Sequence, residues 1–319
     1  MRERSKVIIF IAAFVLVISN EGRGHAHSLG SQTGIAHTPI VFELNGKKRE
    51  IPFVGVTINQ KHCWFVLDSG ANMMMISSSA ALRLGLSLEP DSQNTGNDHV
   101  GNPMKTISVL PFSMKMDQSS TSLENIRAIS SDLPSNMEKE GICGMLSPQS
   151  LIKNKTVILD FPNESLEIHE TASSDKILEF LKVSYPAYLF SELPVLEAKS
   201  SEGKRIPSLL LIPASLIEKP EMVLDIDSGS PITHMPENYV QPTCVEPSNY
   251  PMQTASGEIY YLDQARNQLL EIGGHPVHLD RLFLLSTPST PFEGVLGMDV
   301  LRRMIIVVPS NPENVYLGL

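Results

Sequence analysis

The stretch "WFVLDSGAN", residues 64–72, runs four apolar residues straight into an aspartate, a small hydroxyl residue and a glycine. Asp, Ser and Gly are common turn residues, so taken alone the stretch reads as a strand that ends in a turn. A second stretch, "VLDIDSGSPITHM" at 223–235, places another Asp-Ser-Gly with Asp227 lying 159 residues after Asp68. Whether Asp68 is a turn residue or half of a pair depends on whether these copies belong to a larger repeat.

Three further landmarks recur in the same order. "PIVFELNGKKREIPFVGVTI" has prolines at 39 and 52, and "PVLEAKSSEGKRIPSLLLI" has them at 194 and 207; each segment holds a Gly-Lys turn and an Ile-Pro pair. Downstream, "GICGMLSPQSLI" (141–152) matches "GVLGMDVLRRMI" (294–305), with Gly144 lying 76 residues after Asp68 and Gly297 lying 70 after Asp227. Each is followed by an apolar strand and a closing one, "TVILDF" and "SLEIH" or "MIIVVP" and "VYLGL". Four landmarks in one order at similar spacing indicate two lobes of one design.

Short apolar runs bounded by Gly, Asn, Ser and Pro, such as "IVFEL", "IPFVGVTI", "ISVLPFSMKM" and "VILDF", read as strands of a mainly β protein. The sequence predicts an all-β fold of two similar closed-barrel-like lobes related by pseudo-twofold symmetry, with few short helices. "SSSAALRLGL" reads as one helix, capped by Ser78 or Ser79 and terminated at Gly85. "SSDKILEFLK" (173–182) reads as a second, within a linker. The expected division is a signal peptide at 1–26, a first lobe at 38–170, a linker at 171–193 and a second lobe at 194–319.

The motif apolar-apolar-Asp-(Thr/Ser)-Gly-(Ala/Ser), followed some seventy residues on by apolar-apolar-Gly and another apolar strand, resembles the aspartic proteases, specifically the retropepsin-like form with short lobes. Residues 64–76 and 141–161 carry the resemblance in the first lobe, and 223–235 and 294–308 in the second. The resemblance implies that both half-sites are encoded in one chain, an internal pseudo-dimer that works as a monomer on a peptide or protein substrate. Asp68 and Asp227 are then the catalytic pair. Two carboxylates about 3 Å apart cannot both ionise, so the pair shares a proton and activates a water against the peptide carbonyl. No cofactor, metal or covalent intermediate is needed.

Gly70 and Gly229 allow the two loops to turn and approach closely. Ser69 and Ser228 are assigned by the resemblance to lock the loops together, simple turn chemistry being the alternative. Gly144 and Gly297 resemble the strand that supports each catalytic loop. Two glycine-containing segments, "NTGNDHVGN" (94–102, with Gly96 and Gly101) and "TASGEIYY" (254–261, with Thr254 and Gly257), lie where this fold places a flap; each reads equally as a plain hairpin. The second motif departs from the first at Asp225, which stands where the first lobe has Val66, and at Pro231. Asp225 either crowds the pair or faces solvent past a bend.

Other classes fit less well. A formal charge of −10 disfavours a nucleic-acid partner. There is no GxSxG and no HExxH, and "HPVH" (His275, His278) reads as a surface turn rather than a metal site. A non-catalytic peptide-binding protein on the same fold is the remaining rival, opposed by the two intact Asp-Ser-Gly triplets. "MRERSK" followed by twelve apolar residues and "GHA" at 24–26 reads as an export signal, with an uncleaved membrane tether as the alternative. Cleavage after Ala26 removes four basic and two acidic residues from totals of 25 and 35, leaving a charge of −12. Three cysteines, Cys63, Cys143 and Cys244, are too few for a disulfide scaffold, so the core is expected to hold without staples.

Overall fold

The computed structural model describes residues 36–97, 103–152, 155–170, 173–199, 205–206, 209–217, 219–253, 258–285, 290–310 and 313–319. Residues 1–26, read above as an export signal, lie outside them. Among them no helix is long and apolar enough to cross a membrane.

The apolar runs form strands. After β1 (Ala36–Leu44), the first lobe contains β2 (Lys47–Ile58), β3 (Lys61–Leu67), β4 (Met74–Ser77), β5 (Asn94–Asn97), β6 (Pro103–Met116), β7 (Ser122–Ser131) and β8 (Ile142–Leu146). β9 (Lys155–Asp160) and β10 (Ser165–Glu170) complete it. Then come β11 (Phe190–Pro194), the short pair β12 (Ala198–Lys199) and β13 (Arg205–Ile206), β14 (Leu211–Leu216), β15 (Glu221–Ile226) and β16 (His234–Met235). The chain ends with β17 (Val245–Gln253), β18 (Ile259–Ile272), β19 (His275–Leu284), β20 (Gly294–Leu296), β21 (Ile305–Val308) and β22 (Asn314–Gly318).

In the first lobe the neighbours run β2-β3-β8-β4-β7-β6, and β6 pairs back to β2, closing a six-stranded barrel. In the second, β14-β15-β20-β16-β19-β18 closes through β18 pairing to β14. The two closures have the same order, with β5 or β17 added at the outer edge of the long hairpin strand. Closure leaves these strands without free edges and their inward side chains dry: Val54, Val56, Phe65 and Leu67 in one barrel and Ile212, Leu224, Ile226 and Leu270 in the other are fully buried. The all-β expectation is borne out.

A six-stranded sheet, β11-β22-β21-β9-β10-β1, joins the lobes, with Ile305–Val308 of β21 in register against Val157–Asp160 of β9. One face of it packs on the main core. The other is covered by a helix, α3, whose Ile177, Phe180 and Leu181 recur at helical spacing and meet Ile158, Ile305, Val307 and Tyr316. The segment read as a linker helix is therefore a packed element of the sheet that joins the lobes, spanning Ser174–Ser184. The other helices are α1 (Ser78–Leu84), α2 (Ser135–Lys139) and α4 (Met298–Leu301) by position. α1 is capped by Ser77 rather than by Ser78 or Ser79, its hydroxyl accepting from the Ala80 amide at 3.1 Å. It ends at Gly85 with φ +72°, a left-handed conformation that glycine adopts without strain.

One expectation about the core fails. Cys63 of β3 and Cys143 of β8 form a disulfide, with Cα atoms 5.9 Å apart, while Cys244 is free and exposed. The two strands are adjacent and parallel, which brings residues 80 positions apart in sequence within bridging distance. "HPVH" is not a turn: His275 and His278 lie in β19, His278 being 3.2 Å from Asp280. Among the described residues no group of three His, Cys, Asp or Glu is placed to hold a metal.

Candidate active site

Each barrel presents the same construction. β3 and β15 run out at Leu67 and Ile226, and the amides of Asp68 and Asp227 donate to Leu146 and Leu296 of the parallel neighbour, both at 3.0 Å. The chain then turns, and the turn's own amides serve the carboxylates. Ala71 donates to Asp68 Oδ1 at 3.0 Å, and Gly229 and Ser230 donate to Asp227 Oδ1 at 2.8 and 3.2 Å. Pro231 lies past the two amides that Asp227 uses, so its missing N–H removes none of them.

The turns are held face to face by the serines. The Ser69 amide donates to Ser228 Oγ at 3.0 Å and the Ser228 amide to Ser69 Oγ at 2.9 Å. Each hydroxyl also donates to the strand end of the opposite lobe, Ser69 to the Ile226 carbonyl at 2.7 Å and Ser228 to the Leu67 carbonyl at 2.6 Å. Both serines are fully buried, where an unmet polar group is costly, so the four crossed bonds fix the loops strongly. This is more than turn chemistry.

The glycines set the spacing. A Cβ built on Gly70 would lie 2.5 Å from Asp227 Cγ, and one on Gly229 would lie 2.7 Å from Asp68 Cγ. Any side chain there would force the loops apart. With both bare, the Asp68 and Asp227 side chains come close together, each lying against the opposite loop's glycine. Burial, then the Asp227 charge and the hydrogen bond to it, hold the Asp68 carboxyl well above the usual carboxylate range, with the amides of Ala71 and Gly70 opposing. A carboxyl pair, Asp227 buried and Asp68 half-buried, that prefers to keep a proton is equipped to give one group as acid and one as base.

The support positions differ from the sequence alignment by three residues. Phe65, Val66 and Leu67 pair with Gly144, Met145 and Leu146, while Leu224, Asp225 and Ile226 pair with Gly294, Val295 and Leu296. Gly144 therefore corresponds to Gly294, and Gly297 to Ser147. The clearances agree: a Cβ on Gly144 would meet the Met75 carbonyl at 1.9 Å, and one on Gly294 the His234 carbonyl at 2.7 Å, both seven residues past their aspartates. Gly297 is tight against a different point, the Ile232 carbonyl at 2.2 Å. Within β8 the register also skips one residue, Cys143, between the Trp64 and Phe65 pairs.

Correct register also exposes two residues that the motif reading missed. Three positions after Leu146 and Leu296 stand Gln149 and Asp299. Gln149 Nε2 donates to the Ser69 carbonyl at 2.6 Å, and Asp299 Oδ1 accepts from the Thr233 amide and hydroxyl at 2.9 and 2.7 Å. Ser147 donates to the Ala71 carbonyl at 2.6 Å. These polar side chains brace the loop after each aspartate, and their only sequence signal was the shared offset from an apolar pair.

Asp225 does not face solvent. It is 2% exposed, on the same side of β15 as Asp227, and burial with the charges of Asp227 and Asp68 raises its pKa well above the usual range. Of the flap candidates, Gly96 lies in β5, paired to Met104 of β6. Gly101, Thr254 and Gly257 lie outside the described residues. The paired strands β17 and β18 reach the first lobe: Asn136 donates to Gln253 at 3.3 Å, and Tyr250 to Glu50 at 3.1 Å.

Two barrels that meet through paired Asp-Ser-Gly turns define the architecture of pepsin- and retropepsin-like aspartic proteases. Residues 54–145 match the family model described as "Aspartyl protease". The crystal structure of the aspartic proteinase from Irpex lacteus is similar in fold, with a TM-score of 0.53 and 11% identity over 89% of this chain and 96% of that one. No curated protein matches in sequence. The family match and the shared fold bear out the resemblance and support a peptidase function.

Proposed function

We propose that the protein is an exported aspartic endopeptidase that hydrolyses peptide bonds with a water activated between Asp68 and Asp227. The observation that carries this reading is the crossed Ser69–Ser228 bonding, which holds the two loops together with Asp68 and Asp227 each against the opposite glycine. In the proposed step the ionised carboxylate takes a proton from the water as it attacks the peptide carbonyl. The protonated partner donates to the carbonyl oxygen, and the dyad then returns a proton to the leaving amine. The like construction of the two barrels supports one chain acting as its own pseudo-dimer. An extended peptide would lie across the dyad, bound through its backbone, with the β5–β6 and β17–β18 hairpins as candidate covers.

Export is supported by the basic and apolar N-terminal segment and by the Cys63–Cys143 disulfide, a bond that persists in oxidising compartments. The test is peptide cleavage by the full chain and by Asp68→Asn and Asp227→Asn. Both variants are expected to be folded and inactive, statine-type mimics to inhibit the parent, and chelators to have no effect. Wild-type turnover by either variant would refute the dyad.

A further inference from the structure

Asp225 carries a carboxyl that the proposed chemistry does not use. Its Oδ1 is buried and makes no hydrogen bond, and among the described residues no cationic side chain is bonded to it. Its cross-strand neighbours are Leu211 on β14 and Val295 on β20, both in an apolar cluster with Ala198 and Phe292. A carboxyl left unpaired among aliphatic groups keeps its proton and ionises only when a cation comes to pair with it. In the first lobe the corresponding residue is Val66, packed with Met75, Leu133 and Met145. The two sides of the dyad therefore offer different chemistry, one apolar and one carrying a carboxyl.

Resting on the peptidase reading above, we propose that Asp225 is a specificity-determining residue that pairs with a lysine or arginine side chain beside the scissile bond, on the second lobe's side, while the first lobe's side takes an apolar residue. Three points support a cation rather than a neutral donor. An arriving cation lets the Asp225 carboxyl ionise beside it, whereas a neutral donor leaves that carboxyl protonated and gains one hydrogen bond. The methylene stem of Lys or Arg suits the aliphatic neighbours Leu211 and Val295. Low exposure is no obstacle, because Asp227 itself is 7% exposed and must meet substrate.

The experiment compares kcat/KM for peptides identical except at the two residues flanking the cleaved bond, carrying lysine, norleucine or glutamate there. The full chain should favour lysine over norleucine by about tenfold or more at one flanking position only, and disfavour glutamate. Asp225→Asn should lose the preference, and Asp225→Val, which installs the first lobe's residue, should reverse it to norleucine. An unchanged lysine-to-norleucine ratio in both variants overturns the inference while leaving the peptidase reading intact. Absence of any cleavage by the parent overturns both. Should a variant fail to fold, affinities of the parent for lysine- and norleucine-containing statine peptides decide the matter, and equal affinities refute the pairing.

Discussion

Gly70→Ala tests the central geometric claim that bare backbone sets the dyad distance. The new methyl would sit 2.5 Å from Asp227 Cγ and 2.8 Å from its Cβ and Oδ1. Carbon atoms in contact normally stand about 3.5–4.0 Å apart, so the loops must separate by about 1 Å. The crossed serine bonds, 2.6–3.0 Å long, would then pass beyond hydrogen-bonding range. Neither Gly70 nor Gly229 has a positive φ, so the substitution adds no backbone strain and probes clearance alone. A displacement of this size at reacting groups costs about 100-fold in rate, and overpacking costs about 1–3 kcal/mol of stability. Steady-state peptide cleavage should show the loss in kcat with KM largely retained, since groups that bind the rest of the peptide are untouched. Gly229→Ala, with its methyl 2.7 Å from Asp68 Cγ, should behave alike, and the double variant should cost less than the sum because the first methyl has already opened the gap. Wild-type kcat in either single variant would refute the argument.

Ser69→Ala or Ser228→Ala should each destabilise the chain by about 1–3 kcal/mol in urea unfolding, the cost of orphaning a buried amide; no change would mean that the crossed bonds do not hold the lobes. For pH, the folded pKa of Asp68 is raised above its unfolded value of 3.8, so the folded chain holds the proton longer than the unfolded one. Stability from this group is therefore lost as pH rises from about 4 through the folded pKa, and Asp68→Asn, which cannot ionise, should lose less over that window. Parallel Tm-against-pH curves for the two proteins would contradict the raised pKa. Reducing the Cys63–Cys143 bond, or replacing both residues by serine, reopens a loop of 80 residues and should cost about 4–5 kcal/mol in the chain-entropy account; unchanged denaturant midpoints would show that the bond does not constrain the chain.

The strands and the dyad were legible because their signals are local: apolar runs between turn residues, and a triplet whose two copies must complement each other. Ser69 reaches Ser228, and Gly70 faces Asp227 while Gly229 faces Asp68, so each half constrains the same three positions of the other. What was not legible depended on long-range register. "GICG" and "GVLG" align as text, yet pairing with the preceding strand matches Gly144 to Gly294, and a short run bracketed by glycines carries no mark of its register. The disulfide was missed for the same reason, since Cys63 and Cys143 become neighbours only once β3 and β8 are known to be parallel partners. The same reasoning says where the halves are free to differ. Residues that bridge the lobes must match one another, whereas a side chain two residues back along the strand packs within its own lobe and answers only to that side. Val66 and Asp225 occupy that position, and an apolar cluster meets one while an unpaired carboxyl fills the other. The symmetry of the dyad and the asymmetry beside it thus have separate physical causes, mutual contact between the loops in the first case and its absence in the second.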